Sequence, residues 1–207
     1  MSFYVCYSYN CNRNHGLRLK RQIIWRKSLV VSQKIPIFAT KQIKYMMTSN
    51  KNYTIRQAER RDVPLLLEFI RGIAKYEKME DEVVATAETL EAEMFDHHKA
   101  EAVFAVVDGK EVGFALFFFN FSTFIGHSGL YLEDLFVWPE YRGRGYGKAL
   151  LLHLATIARE KRCGRMEWSC LNWNQLSIDF YLSLGAVPMN EWTIYRLDAK
   201  ALERLTQ

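Results

Sequence analysis

A glycine-rich turn, Arg142-Gly143-Arg144-Gly145-Tyr146-Gly147, stands between an apolar stretch at residues 130–138 and a Leu- and Ala-rich stretch at residues 145–162. The first stretch reads as a strand and the second as a helix. A chain that leaves a strand through such a turn straight into a helix has few architectures open to it. The turn also leaves several backbone N–H groups without partners, at the positive end of the helix dipole. That combination binds a phosphate or pyrophosphate. Spacing removes two familiar versions of such a site. A P-loop needs G-x-x-x-x-G-K-[ST], but Gly147-Lys148 is followed by Ala149 and Arg142 stands where the first glycine belongs. A dinucleotide fingerprint needs G-x-G-x-x-G, and Gly143-x-Gly145-x-Gly147 has the wrong period.

The rest of the chain supplies a sheet for this turn. Residues 53–58 alternate as a short strand. Asp62 is expected to cap a helix with Pro64 in its first turn, and Leu65, Leu66, Phe69, Ile70, Ile73 and Ala74 follow at helical spacing. Thr86 caps a second helix over residues 87–95. Residues 102–107 and 111–121 then read as a hairpin joined by Asp108-Gly109. Beyond the long helix, which Gly164 is expected to end, come a strand at 165–171 and a helix at 174–184 closed by Gly185. A last strand is expected at 192–197 and a terminal helix at 199–205. The order β-α-α-β-β-β-α-β-α-β, antiparallel strands followed by an α/β crossover, describes an α+β sandwich with a mixed, mostly antiparallel central sheet flanked by helices. The 207 residues, 49% hydrophobic, suit one domain with a sizeable core. No apolar run reaches the length of a membrane span.

The element R-x-x-G-x-G, standing as Arg142-x-x-Gly145-x-Gly147 behind Glu133-Asp134-Leu135-Phe136-Val137, resembles the acetyl-CoA signature of the GNAT N-acetyltransferases. Further stretches resemble the spermidine/spermine N-acetyltransferase branch and its thialysine N-acetyltransferase relatives. They are residues 75–80 (Lys-Tyr-Glu-Lys-Met-Glu), 131–134 (Tyr-Leu-Glu-Asp) and Trp173-Asn174-Gln175, with Phe180-Tyr181 and Leu184-Gly185-Ala186. The similarity runs from about residue 53 to 197. It implies a GNAT-type fold over residues 53–207, acetyl-CoA as co-substrate, and a homodimer. It further implies that strands four and five splay apart and that the pantetheine arm bonds the Leu135, Phe136 and Val137 backbone. The pyrophosphate would then meet Arg142, Gly143, Arg144, Gly145, Tyr146, Gly147 and Lys148, with Asn174 and Ser177 holding the cofactor from the next helix.

The second substrate is then an amine. An alkyl ammonium has a pKa of about 10, by analogy with lysine, so at neutral pH it must be attracted and then deprotonated. Carboxylates suit both tasks. Residues 77–96 hold eight acids against one Lys, and most of these read as a solvated helical face. Glu133 and Asp134 differ, because they sit inside an apolar strand beside the turn. Alternation lets only one of the two face the amine, and the other then needs a different partner. By resemblance Glu133 is the catalytic and substrate-side acid, Tyr76 and Glu77 are substrate-side residues, and Tyr181 is the proton donor to the departing thiolate. The segment between Gly185 and Trp192 is shorter than in the polyamine enzymes, and Glu191 is a candidate for the acid that loop supplies. Residues 121–126 and Trp173-Asn174-Gln175 look more like the thialysine-type branch than the polyamine one, and the expected acceptor is a diamine, polyamine or thialysine-like amino acid. A protein N-acetyltransferase and a non-catalytic acyl-CoA sensor are the competing readings.

The remaining residues carry less. The net charge of +5 belongs to the leader. Residues 1–46 hold nine Lys and Arg and no acid, which leaves 19 basic and 23 acidic residues beyond. A transit peptide, an upstream start with initiation at Met46 or Met47, and a nucleic-acid or membrane arm all fit that leader, and residues 1–52 are taken as a dispensable extension. No nucleic acid or membrane partner is expected for the domain. Cys6, Cys11, Cys163 and Cys170 form no C-x-x-C, Cys170 reads as a core residue, and reduced thiols suit the cytoplasm. His97-His98 cannot converge on one ion from adjacent positions, so no metal is expected. His127 and His153 have no visible triad. Phe117-Phe118-Phe119 suits a core or an interface equally.

Overall fold

A computed structural model describes residues 52–207. The expectations for residues 1–51, including Cys6 and Cys11, lie outside the described residues. The elements are β1 (Thr54–Gln57), α1 (Val63–Glu77), α2 (Ala87–Glu91), β2 (Glu101–Val107), β3 (Lys110–Ser122), β4 (His127–Val137), α3 (Tyr146–Glu160), β5 (Arg165–Trp168), α4 (Gln175–Ser183) and α5 (Ala199–Thr206). The strands form a five-stranded sheet in the order β1-β2-β3-β4-β5, antiparallel except for the parallel β4–β5 pair. This is the mixed, mostly antiparallel sheet flanked by helices that the sequence describes. The hairpin joining β2 and β3 turns at Asp108 and Gly109, both at positive φ (50° and 76°), the conformation that favours the Asp-Gly pair.

Each face of the sheet buries its own apolar set. Leu66 and Phe69 of α1 pack on Phe104, Phe114 and Phe136, with the Phe69 ring 5.0 Å from Phe114. Leu150, Leu151 and Leu154 of α3 pack on Val103, Ala115, Phe117, Leu130 and Leu132. The Phe run divides accordingly: Phe117 is core, Phe118 stacks on Tyr131, and Phe119 stays at the surface.

One irregularity in β4 shapes everything nearby. Leu116 of β3 faces Asp134 and Phe117 faces Leu132, so Glu133 is an extra residue with no partner. Such a bulge reverses which face later residues point to. Leu130 and Leu132 therefore pack under α3, whereas Phe136 packs under α1. The bulge also turns β4 away from β5, whose pairing ends at Leu132 opposite Trp168. Beyond that point the edge of β4 facing β5 has no strand beside it, and β5 stops at Trp168 rather than at the expected residue 171.

Four further expectations are corrected. The strand expected at 192–197 does not form. It finds no strand partner among the described residues, and Ile194 and Tyr195 are 74% and 90% exposed, so β propensity alone leaves it irregular. The α3 helix ends at Glu160, with Arg162 rather than a glycine taking the left-handed turn. Gly164 serves a different need, because a Cβ there would lie 2.6 Å from Ile125. Asp62 makes no side-chain cap bond to α1. Instead it accepts from both Arg56 terminal nitrogens, at 2.6 and 2.9 Å, and from the Glu59 amide, tying β1 to the start of the helix. The helix expected at 87–95 is α-helical to Glu91 and then widens into a π turn over Ala92–Asp96, although Thr86 caps it as expected.

Candidate active site

The wedge between β4 and β5 opens into a cleft of about 470 Å³, within the range of small-molecule and cofactor sites. Its walls are β4 beyond the bulge, the glycine turn, the chain that follows β5, the N-terminal half of α4, and the C-terminal end of α1. Of the residues singled out from the sequence, Tyr76, Glu77, Glu133, Leu135, Phe136, Val137, Arg142, Gly143, Gly145, Tyr146, Gly147, Lys148, Asn174, Ser177 and Tyr181 all line it. Arg144 does not. Its guanidinium turns back to donate to the Glu140 carbonyl at 3.0 Å. Glu191 is exposed and outside the lining.

At one end of the cleft the turn presents backbone. Gly143 and Gly145 sit at φ 73° and 87°, so the chain can bend sharply before α3 begins. The amides of Gly143 through Lys148 donate to no acceptor among the described residues. The first turn-closing bond is Ala149 N–H to Gly145 O at 3.0 Å. These free donors at the start of a 15-residue helix make an anion cradle. A Cβ placed at Gly147 would meet nothing closer than Val137 at 3.8 Å, so the surface there is open to a ligand. The side chain of Arg142 faces inward. Its Nε donates to Val137 O at 2.9 Å and its guanidinium lies over the Tyr76 and Phe136 rings at 4.6 and 5.3 Å. Backbone N–H groups, rather than the two arginine side chains, therefore face the cradle.

At the other end the cleft is acidic. Glu77 closes α1 and Glu133 is the bulged residue; both line the cleft. The bulge alters the simple alternation argument, because Asp134 does not find the separate partner it was expected to need. No hydrogen bond or ion pair reaches the Asp134 carboxyl among the described residues. Burial, then the charges of Glu133 and Glu77, push its carboxyl up to about 7. Burial also raises Glu77. A carboxyl that titrates near neutrality can either pair with a cation or take a proton.

Tyr181 also lines the cleft. Its ring packs on Trp168 at 4.9 Å and on Phe180 at 5.3 Å. Burial, then Cys170 and Glu77, raise its phenol to about 12. Cys170, read from sequence as core, lines the cleft instead, because β5 ends two residues before it. Burial and Glu77 raise its thiol. Asn174 caps α4 by accepting from Ser177 N–H at 3.3 Å. Trp173 and Asp134 were legible only in part. Trp173 belongs to the Trp173-Asn174-Gln175 motif, but its packing on Tyr76 at 5.9 Å joins residues far apart in sequence. Among the described residues no group of three His, Cys, Asp or Glu converges as a metal site, and His97 pairs with Glu93 at 3.1 Å.

The chain is similar to known proteins in this same region. A sequence model of the acetyltransferase (GNAT) family matches residues 66–186. Thialysine N-epsilon-acetyltransferase from Bos taurus is 34% identical over 163 residues, covering 73% of this chain and 95% of that protein. An L-ornithine N5-acetyltransferase from Arabidopsis thaliana is 41% identical over 93 residues, 45% of this chain and 41% of that one. Among solved structures, an integron cassette protein from V. cholerae superposes with a TM-score of 0.64 at 29% identity, covering 76% of this chain and 99% of that chain.

Proposed function

The chain belongs to the GNAT acetyltransferase family, and on that premise we propose that it transfers the acetyl group of acetyl-CoA to the primary amine of a small cationic acceptor, a diamine, polyamine or thialysine-like amino acid. One observation carries the reading above others. A cradle of free amides and two carboxylates, Glu77 and Glu133, line one cleft, at the place where β4 and β5 part.

The residues present fit the coenzyme. The amides of Gly143 to Lys148 suit its diphosphate, and the unpaired edge of β4 at Leu135–Val137 suits an amide-bearing arm lying alongside as an additional strand. The acetyl thioester then lies toward the acidic end. Glu77 and Glu133, which line the cleft, attract the ammonium ion, and one of these carboxylates takes a proton from it. The freed nitrogen attacks the thioester carbon, the C–N bond forms, and the C–S bond breaks with its electron pair on sulfur. Tyr181 donates its hydroxyl proton to that sulfur and recovers one from the amine nitrogen as the amide forms. One proton is released overall. A phenol raised to about 12 is a weaker acid than a thiol, so the transfer to sulfur is uphill by itself and proceeds only coupled to the proton Tyr181 recovers from the amine nitrogen.

The relatives support a small acceptor. Their names specify thialysine and ornithine, both amino acids with a terminal amine. Residues 53–207 would carry the activity, with residues 1–52 dispensable. A homodimer is supported by Val187, Ile194, Tyr195 and Leu197, exposed apolar side chains that a second copy would cover. No helix among the described residues is long and apolar enough to cross a membrane, and the free thiols of Cys163 and Cys170 support a cytoplasmic site of action.

Free-thiol release from acetyl-CoA, measured against thialysine, lysine, ornithine, spermidine, putrescine and a peptide panel, tests the reading. Turnover with one or more of the small amines is expected. Turnover with peptides alone would replace it by a protein-modifying activity, and coenzyme binding without turnover by a sensor.

A further inference from the structure

Across the cleft, where no strand joins its two sides, one hydrogen bond does. The Tyr76 hydroxyl at the end of α1 lies 3.1 Å from Asn174 Oδ1 at the start of α4. The same oxygen accepts from the Ser177 amide at 3.3 Å. These two contacts fix the direction of every proton. A backbone N–H can only donate, so the atom facing Ser177 is the amide oxygen of Asn174. That oxygen has no hydrogen, so Tyr76 must donate to it. Two consequences follow. Asn174 Nδ2 is left with both its hydrogens, bonds nothing among the described residues, and belongs to a residue that lines the cleft while only 7% exposed. The Tyr76 oxygen, having committed its hydrogen, offers only lone pairs to the cleft beside Glu77. The ring cannot easily leave this position, because the Arg142 guanidinium lies 4.6 Å over it and Trp173 packs at 5.9 Å.

Resting on the acetyl-transfer reading above, we propose that Tyr76 and Asn174 form a one-way hydrogen-bond chain running from the acceptor's ammonium group to the coenzyme, so that occupation of either site strengthens the other. The ammonium donates to the Tyr76 oxygen, Tyr76 donates to Asn174 Oδ1, and Asn174 Nδ2 donates to a carbonyl or phosphate oxygen of the coenzyme. Each bond polarises the next in the same sense. Tyr76 here both binds the ammonium and orients Asn174. It selects the face that Asn174 shows to the coenzyme and makes that choice sensitive to the amine.

The test is calorimetric titration of free CoA with and without saturating thialysine or spermidine, for the unaltered protein, Tyr76→Phe and Asn174→Asp. The unaltered protein should bind CoA at least about fivefold more tightly with one of the amines present, and the amine more tightly with CoA by the same factor. Tyr76→Phe keeps the ring and its packing. It should bind CoA alone as the parent does, bind the amine alone more weakly because the ammonium loses an acceptor, and lose the synergism. Asn174→Asp replaces the donor by an acceptor and should weaken CoA even without amine. Synergism that survives Tyr76→Phe overturns the chain alone, as does CoA binding that neither amine alters. A purely structural Tyr76 would lower both affinities and the melting temperature together, and that result also overturns it. Failure of the unaltered protein to bind CoA overturns the acetyl-transfer reading and this inference with it.

Discussion

Replacing Asp134 by Asn should change how stability depends on pH. In the folded chain burial and the neighbouring Glu133 and Glu77 hold this carboxyl at about 7, against an ordinary 3.8. Below 3.8 it is protonated folded or unfolded, and its contribution is fully present. As pH rises from there the unfolded chain releases the proton and the folded chain keeps it, so the unfolding free energy falls until pH passes about 7. The difference of about three pH units at 1.36 kcal/mol each sets a ceiling of about 4 kcal/mol. Most of that, about 3 kcal/mol, lies between pH 5 and 8. Asp62, which Arg56 holds below its ordinary value, has finished titrating by then. His153, lowered by burial, acts in the opposite sense below its ordinary 6.5. Both are shared with the variant and cancel in the comparison. Urea unfolding at pH 5 and pH 8 reads the effect. Asp134→Asn should already exceed the parent at pH 5 and gain about 3 kcal/mol more on it by pH 8. Parent and variant curves that run parallel from pH 5 to 8 would refute the reasoning.

Three other outcomes follow from the same geometry. Gly147→Ala adds a methyl with room to spare in the fold, so the melting temperature should hold or rise while CoA affinity drops at least about tenfold, since alanine is the better helix former by roughly 1 kcal/mol and the methyl occupies the cradle; undiminished affinity would remove the diphosphate from that position. Tyr181→Phe should lower turnover by about one to two orders of magnitude with the fold intact by circular dichroism, a general-acid contribution of modest size; unchanged turnover would remove its role. A chain starting at Met47 should turn over amines at the full rate, and a loss of activity would show that the leader contributes.

How much of this was legible beforehand depends on distance in sequence. The cradle was readable because a strand, a turn and a helix start are local, and Gly143, Gly145 and Gly147 stand within five residues. Thr86 as a helix cap and Asp108-Gly109 as a turn were local in the same way. Asp134 was not, because strand alternation assigns it away from Glu133 and only the register of β3 against β4 reveals the bulge. Cys170 was misread for a related reason, since the bulge ends β5 before that residue is reached. The Tyr76–Asn174 bond spans 98 residues and has no signature in composition or periodicity. The strand expected at 192–197 shows the converse: its pattern is genuine, but a strand needs a neighbour.

The central claim is that one cleft holds acetyl-CoA by backbone amides at the start of α3. Calorimetric titration of the folded protein with acetyl-CoA tests it most directly. The account predicts saturable binding of one molecule per chain, sharply weakened in Gly147→Ala. A well-folded chain that binds no acetyl-CoA, or one whose affinity ignores that methyl group, would contradict it.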